Sequence, residues 1–382
     1  MHVFTSIVAN YLPKASVLAR SVKRFHPEAR FHVVLSDDLP SCPPEWTAPF
    51  DSIINIRELP LTNLSSWIFK HRLLELCTAV KGIAFQYIAE RFGAERIYFF
   101  DPDIVILHPL ADLEERLSRH SVLLIPHQTE PEQSPEAVLD NEIVSLRHGV
   151  YNLGFLAVRL TGQGRSFIDW WADRLINYCY DEVASGLFTD QRWVDLAPAF
   201  FDDIFIVRDH QYDVATWNLT RRRATGRAPN DILINGKPLV FFHFSGFDSG
   251  NQLFMLKRYG RHSPVLFELR DWYLAECERY GQSVLGLRPW VYARFHNGKT
   301  ITDHQRWVYR NDPRLSRFFP DPYRTSPLHQ SYYHWYEYYY RVMSCPLLKW
   351  LRQKSDRPPL KWAQKIWRHC RRSLSTMPEG TP

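Results

Sequence analysis

The stretch Phe99-Phe100-Asp101-Pro102-Asp103-Ile104-Val105 decides how this chain is interpreted. Residues 96–100 form an apolar run typical of a buried strand, and two carboxylates follow it at positions i and i+2. Ligands of α/β sheets bind beyond the carboxyl ends of the strands, so Asp101 and Asp103 are expected to converge there on one hard cation, Mn²⁺ or Mg²⁺. The same pattern also suits a solvated turn in which Asp101 caps the residues that follow.

Apolar strands alternate with helical periodicity on both sides of this stretch. Strands are predicted at residues 2–8, 31–35, 51–56, 121–125, 151–158, 205–207 and 239–244, and helices at 14–25, 67–80, 83–92 and 164–179. This alternation predicts an α/β fold with a mostly parallel central sheet flanked by helices.

Composition changes after residue 265, where Trp, Tyr, Arg and Pro become more frequent and the alternation fades. We therefore predict a catalytic domain over residues 1–265 and an aromatic-rich, partly helical extension over 266–344. A basic amphipathic tail is predicted over 345–382, with its last residues, from 373, disordered.

The basic charge of the chain is concentrated in the tail. Residues 345–382 hold nine Lys or Arg and two acidic residues, which leaves the rest of the chain close to neutral. This distribution does not favour nucleic-acid binding. The mixture of Trp, Leu and basic residues in 345–372 suits an anionic membrane surface, and it equally suits an amphipathic helix packed on the body.

The start of the chain lacks the basic and apolar regions of a secretory signal, and its six cysteines form no CxxC pair. The sequence contains no run of about 18 apolar residues, so we predict no membrane span. We expect a cytoplasmic protein that is either free or peripheral on the inner membrane face.

A second motif, Val240-Phe241-Phe242-His243-Phe244-Ser245-Gly246, places a histidine near the end of a predicted buried strand. His243 could ligate a metal, and Gly246 would let a phosphate approach the backbone closely. The alternative is a core histidine that is hydrogen-bonded to a backbone carbonyl.

Three further motifs are compatible with a ligand site. Asn152 and Gly154 lie in Tyr151-Asn152-Leu153-Gly154-Phe155, where glycine within a predicted strand suggests a bend near a ligand. Asp190 and Gln191 follow Thr189, although Thr189 or Asp190 could simply cap a helix. Arg221 begins a run of three arginines that could bind a diphosphate or form a solvated basic loop.

Taken in order over residues 1–250, these motifs resemble glycosyltransferase family 8 and its bacterial relatives. The resemblance implies a GT-A fold, a nucleotide-sugar donor that is usually a UDP-sugar, and a bound Mn²⁺. It implies that Asp101, Asp103 and His243 ligate the metal. It also implies that Asp190 and Gln191 act near the anomeric carbon of the donor.

The resemblance assigns donor contacts as well. Asn152 and Gly154 match the family's Asn-x-Gly strand facing the donor sugar, and Gly246 matches its His-x-x-Gly segment. Tyr11 would stack on the base, and Lys81 would contact the donor or acceptor. The chain departs from the family in two places, since it lacks an acidic residue before Tyr11 and a phosphate-binding lysine after Gly246. Arg221 or Lys257 could substitute for that lysine.

The expected reaction is transfer of a sugar to a glycan or lipid-linked acceptor with retention of the anomeric configuration, in the assembly of cell-surface polysaccharide or lipopolysaccharide. An inverting transferase would instead need a general base toward the acceptor, and Asp190 could serve. A nucleotidyltransferase is disfavoured because residues 7–14 lack a Gly-rich phosphate loop. A catalytically silent sugar-binding or assembly protein is the remaining alternative.

Overall fold

The computed structural model of the chain describes residues 1–326 and 331–340. The chain divides into two compact units, residues 1–293 and residues 294 onward. The boundary predicted at residue 265 lies at the first residue of the helix Val265–Arg279, within the first unit. The predicted tail, 345–382, lies outside the described residues.

A seven-stranded sheet organises the first unit. In spatial order its strands are β10 (Ile204–Ile206), β6 (Val122–Leu124), β7 (Phe155–Arg159), β4 (Arg96–Phe100), β1 (His2–Ile7), β2 (Arg30–Leu35) and β3 (Ser52–Asn55). Strand β7 runs antiparallel to both of its neighbours, and the other six strands are parallel to one another. The mixed α/β architecture with a mostly parallel sheet, predicted from the alternation of strands and helices, is confirmed.

Smaller strand pairs and helices complete this unit. The short strands are β5 (Ile104–Ile106), β8 (Asp181–Glu182), β9 (Leu187–Phe188), β11 (Ala224–Arg227), β12 (Asp231–Ile234), β13 (Lys237–Pro238) and β14 (Phe241–His243). The α-helices are α1 (Leu12–Phe25), α2 (Pro44–Thr47), α3 (Leu64–Phe69), α4 (Leu73–Ala79), α5 (Lys81–Phe92), α6 (Ala111–Arg119), α7 (Pro135–Ala137), α8 (Ile143–His148), α9 (Gln163–Tyr178), α10 (Gln191–Val194), α11 (Ala197–Phe200), α12 (Asn251–Tyr259), α13 (Val265–Arg279) and α14 (Gln282–Leu285). A π-helical turn, Val138–Glu142, precedes α8.

Helices α1, α5 and α9 support the strands and loops that carry the candidate site residues. The residues of α1 that join the main apolar core recur at helical spacing, among them Ala15, Leu18 and Val22. Helices α5 and α9 pack closely because Gly82 has no side chain: a Cβ there would lie 2.5 Å from the Cα of Ala172. This close packing holds the first turn of α5, which carries Lys81, against α9.

Three predicted elements differ from the structure for local reasons. The helix predicted over 67–80 is two helices, because the N–H of Arg72 donates to the buried Glu75 carboxylate at 2.7 Å and starts a new helix. The strand predicted over 151–158 begins only at Phe155, since Asn152 Oδ1 accepts the N–H of Gly154 at 2.8 Å. The strand predicted over 239–244 is β14, which pairs with β5 outside the seven-stranded sheet.

The described part of the second unit is helical and aromatic. It contains α15 (Asp303–Asn311), α16 (Pro313–Phe318), α17 (Tyr332–His334) and a π-helical segment, Trp335–Tyr340. Tyr332 is fully buried, with its ring centroid 5.0 Å from that of Tyr309 in an edge-on arrangement. Among the described residues of the whole chain, no helix combines the length and the apolarity that crossing a membrane requires.

Candidate active site

Two aspartates and one histidine meet at the carboxyl end of β4. Asp101 and Asp103 connect β4 to β5, and His243 ends β14 opposite Ile104 of β5. His243 Nε2 lies 3.2 Å from an Asp103 oxygen and 3.9 Å from an Asp101 oxygen. One ligand atom from each of the three side chains lies within 4.8 Å of the other two. An imidazole nitrogen with two carboxylates is a donor set that fits Mn²⁺ or Mg²⁺.

Burial and neighbouring charges shift the pKa values of all three side chains. Burial lowers the pKa of His243, but Asp103 and Asp213 outweigh that effect and raise the pKa to about 10. Burial raises the pKa of Asp101. Burial acts in the same sense on Asp103, yet His243 and Lys14 hold the pKa of this carboxyl below its usual value. Metal ligation requires neutral imidazole, so a bound cation would take over the charge that the histidine proton otherwise supplies.

Asp213, which the sequence analysis did not select, orients His243 from the other side. Its Oδ1 lies 3.3 Å from His243 Nδ1, and the residue is fully buried. Its backbone has φ of +46°, in the left-handed region that aspartate tolerates better than most residues. Within the described part of the chain, Asp213 Oδ2 has no hydrogen-bond partner. A carboxylate behind a ligating histidine fixes the ring orientation and tautomer that metal binding needs.

A buried ion pair adjoins the cluster. Lys81 Nζ lies 2.7 Å from Asp190 Oδ2 and 3.4 Å from Asp101 Oδ1, and it donates to the carbonyl of Leu153 at 2.9 Å. The side chains of Lys81 and Asp190 are 3% and 4% exposed. Burial lowers the pKa of Lys81, but Asp101 and Asp190 more than compensate and raise it above its usual value. Asp190 precedes α10, yet its side chain makes no capping hydrogen bond, so the carboxylate is directed to Lys81.

Asn152 and Gly154 lie at the same edge because β7 is antiparallel and therefore begins where β4 ends. The N–H of Asp101 donates to the carbonyl of Gly154 at 2.7 Å. A Cβ at Gly154 would lie 2.4 Å from His243 Cε1 and 2.6 Å from Asn152 Oδ1. Glycine is therefore required there so that the backbone can pass beside the histidine ring.

Gln191 joins two backbone segments beside this strand. Its Nε2 donates to the carbonyl of His148 at 2.9 Å, and its Oε1 lies 3.4 Å from the N–H of Leu153. The amide is thereby held at the cavity wall.

A cavity of about 310 Å³ collects most of these groups. Its lining includes seven of the residues selected from the sequence, namely Lys81, Asp101, Asn152, Gly154, Asp190, Gln191 and His243. Its lining also contains Asn141, Ser145 and His148 from the π-helical turn and α8. Two of the three candidate cation ligands and the buried ion pair thus line one cavity.

Four selected residues lie outside this lining: Asp103, which belongs to the cluster, and Tyr11, Gly246 and Arg221. Tyr11 donates its hydroxyl to Asp248 at 2.6 Å. Gly246 has φ of +75° in the loop after β14. Arg221 donates to the carbonyl of Pro131 at 2.7 Å, so the structure does not bring this arginine to the cluster.

Other lining residues were also missed by sequence reasoning, among them His127 and Trp217. His127 Nε2 lies 3.0 Å from Asn152 Nδ2, and the ring of Trp217 is edge-on to His243 with centroids 5.3 Å apart. Trp217 lies close in sequence to Arg221, which was selected as a candidate diphosphate contact. This proximity was the available signal. Nothing in the sequence around His127 indicates a site.

Comparison with known proteins adds distant relatives. No protein-family model matches the chain. Two proteins of Bacillus subtilis strain 168, the uncharacterized YfnF and YfnD, are 24% identical over 181 residues and 26% identical over 176 residues. Each alignment covers 45% of this chain, and they cover 57% and 54% of the relatives. The chain therefore spans little more than half the length of these relatives.

Several solved structures are similar in outline. The galactosyltransferase LgtC, in complex with donor and acceptor sugar analogs, gives a TM-score of 0.41 at 16% identity, over 64% of this chain and 87% of LgtC. A glycosyltransferase involved in glycosylation of the PBCV-1 major capsid gives a TM-score of 0.37 at 9% identity, over 66% and 97% of the two chains.

Proposed function

We propose that the protein is a glycosyltransferase of GT-A type that needs Mn²⁺ or Mg²⁺ and transfers a sugar from a nucleotide sugar, with a UDP-sugar as the expected donor. The observation that carries this proposal is the Asp101–Asp103–His243 cluster, which adjoins the Lys81–Asp190 pair through Asp101. A divalent cation and a fixed ammonium beside a carboxylate suit a reaction in which a diphosphate leaves an electrophilic sugar carbon.

The diphosphate end of the donor would lie over the cluster. Asp101, Asp103 and His243 would hold the cation, which when bound supplies positive charge to the leaving diphosphate. Lys81 adds a second positive charge, because the raised pKa keeps this buried ammonium protonated. Its donation to the carbonyl of Leu153 and its ion pair with Asp190 fix its position before any donor arrives.

The sugar end would face Asp190 and Gln191. The Asp190 carboxylate is held by Lys81 at 2.7 Å and by the Thr189 hydroxyl at 3.0 Å. A carboxylate fixed by two partners is suited to stabilising positive charge on the sugar ring and to orienting it. Because Asp190 is already bound to Lys81 and Thr189, we favour a retaining reaction. In an inverting reaction this carboxylate would have to take up the proton of the acceptor hydroxyl.

The acceptor would bind beside Asn141, Ser145 and His148, which line the same cavity. We propose a glycan or lipid-linked acceptor in cell-surface polysaccharide or lipopolysaccharide assembly, with the protein in the cytoplasm or peripheral on the inner membrane face. The proposed membrane contact through residues 345–372 concerns a segment outside the described residues. Its test is liposome binding with and without residues 345–382.

The first experiment is hydrolysis of a panel of nucleotide sugars with and without Mn²⁺, because transferases slowly hydrolyse their donors in the absence of acceptor. We expect one nucleoside diphosphate to be released only with metal. Asp103→Asn should abolish this release without unfolding the protein. Asp169→Asn, which removes the same charge from an exposed ion pair with Arg165 on α9, is the matched control. Metal-independent release by Asp103→Asn would exclude the proposed metal site, and absence of both hydrolysis and nucleotide binding would favour a sugar-binding or assembly role.

A further inference from the structure

The loop of residues 245–250, directly after β14, is fastened to the start of the chain by one carboxylate. Asp248 Oδ2 accepts the Tyr11 hydroxyl at 2.6 Å and lies 2.5 Å from Lys14 Nζ. The Lys14 side chain is 1% exposed, whereas that of Asp248 is 46% exposed. A buried ammonium requires an anionic partner, so the loop supplies the charge that lets Lys14 remain inside the protein.

Lys14 is held by a loop that begins beside the proposed metal cluster. It belongs to the first turn of α1, just after the carboxyl end of β1, and its Nζ is 4.1 Å from the centroid of the Tyr11 ring. The N–H of Phe244, directly before the loop, donates to the carbonyl of Asp103 at 2.8 Å. The ammonium is therefore bound to a loop that starts at a cation ligand, where a leaving diphosphate would need positive charge.

The loop itself offers no cation, since its sequence is Ser245-Gly246-Phe247-Asp248-Ser249-Gly250. Gly246 and Gly250, one near each end, have φ of +75° and +78°, a conformation in which glycine is free of strain. Exposure of Asp248 means that releasing its carboxylate to water would cost little, whereas Lys14 would need a replacement anion. Asp248 can therefore exchange this contact for water, whereas Lys14 can give it up only for another anion.

We propose that Lys14 is a binding residue for the donor diphosphate and that Asp248 is an internal competitor, which occupies Lys14 and Tyr11 until a phosphate oxygen displaces it. This inference rests on the proposed function. Carboxylate and phosphate oxygens accept the same hydrogen bonds from an ammonium and a phenol, so the exchange conserves both contacts. The loop would then be released in the bound state, and the affinity for the diphosphate would be set by the competition.

The test is isothermal titration of the full chain with UDP, GDP, CDP and ADP in the presence of Mn²⁺. Asp248→Asn should bind the preferred nucleoside diphosphate about tenfold more tightly than the wild type, because a charged competitor is removed. Lys14→Met should bind it about tenfold more weakly, and Asp169→Asn should match the wild type. In the wild type, hydrogen exchange in residues 245–250 should become faster when the diphosphate is added.

The outcomes separate this inference from the proposed function. Metal-dependent binding by the wild type, with Asp248→Asn unchanged or weaker, would overturn the competitor role and leave the proposed function standing. Binding of a diphosphate by Asp248→Asn but not by the wild type would directly support the role of Asp248 as a competitor. If none of the four diphosphates binds to the wild type or to Asp248→Asn, both proposals fail. Asp248→Asn decides the matter even if Lys14→Met does not fold.

Discussion

Replacing Asp213 with asparagine tests the metal site through a residue that cannot itself reach the ion. In the structure, Asp213 Oδ1 accepts from His243 Nδ1 at 3.3 Å, which leaves Nε2 directed at Asp103. Asparagine has the same shape and also tolerates the left-handed backbone at this position, where φ is +46°. Its amide, however, can donate to Nδ1, and the proton would then reside on Nε2, the nitrogen that should bind the cation.

The expected loss follows from this change of tautomer. Removing the outer partner of a ligating histidine costs roughly 10- to 100-fold in metal affinity, or about 1.4–2.7 kcal/mol. At a Mn²⁺ concentration about 100 times the wild-type dissociation constant, binding adds about 2.7 kcal/mol to the free energy of unfolding. Asp213→Asn should retain at most about half of that added stability.

The assay is chemical unfolding with and without Mn²⁺, supported by direct metal titration. Asp51→Asn is the control, because Asp51 accepts from the N–H of Phe31 at 2.6 Å and lies 2.7 Å from Lys23, with no contact to the cluster. This control should lose stability equally with and without metal. If Asp213→Asn gains as much stability from Mn²⁺ as the wild type does, the orientation of His243 by Asp213 is refuted.

Three further outcomes are expected. Gly154→Ala should abolish donor hydrolysis, since its Cβ would lie 2.4 Å from His243 Cε1, and a variant with wild-type activity would contradict the packing at that point. Gly82→Ala should lower the free energy of unfolding by about 1–3 kcal/mol through its clash with Ala172, as measured by urea unfolding, while the Mn²⁺ affinity of the folded protein stays the same. Burial lowers the pKa of His32 from 6.5 to about 4, so the unfolded chain binds a proton at a pH where the folded protein does not. The free energy of unfolding should therefore keep the full contribution of His32 above pH 6.5. It should fall by roughly 3 kcal/mol as the pH drops toward 4. Urea unfolding at pH 7 and pH 5 should show a smaller decrease in His32→Gln than in the wild type, and equal decreases would argue against this source of acid sensitivity.

Local sequence patterns carried most of the fold. Apolar runs and helical spacing located the strands of the large sheet and helix α1, because residues there are buried along one face or on both sides of a strand. The same patterns placed Asp101 after a strand, where sheet geometry brings ligands together. Elements shaped by side-chain bonds to the backbone were not visible, as at Asn152 and Glu75, where one hydrogen bond decides the start of a strand or helix.

The missing parts of the site are those that tertiary contacts bring together. Asp213 reaches His243 only because Val214 pairs with β14, through the N–H of Val214 to Phe241 and the N–H of His243 to Val214. The partnership of Lys14 with Asp248 joins positions 234 residues apart. Neither contact has a local signature, since a single aspartate or lysine in a loop or helix is ordinary on its own.

The direction of β7 explains why these groups can share one cavity. A parallel strand in its place would begin at the opposite edge of the sheet, and the residues before it would lie far from Asp101. Because β7 is antiparallel to β4, Phe155 pairs with Phe100, and the chain before Phe155 enters the edge where Asp101 leaves it. The carbonyl of Leu153 is then available to hold Lys81, and Gly154 makes room for His243. One reversed strand thus brings the cation ligands and the ammonium to the same edge.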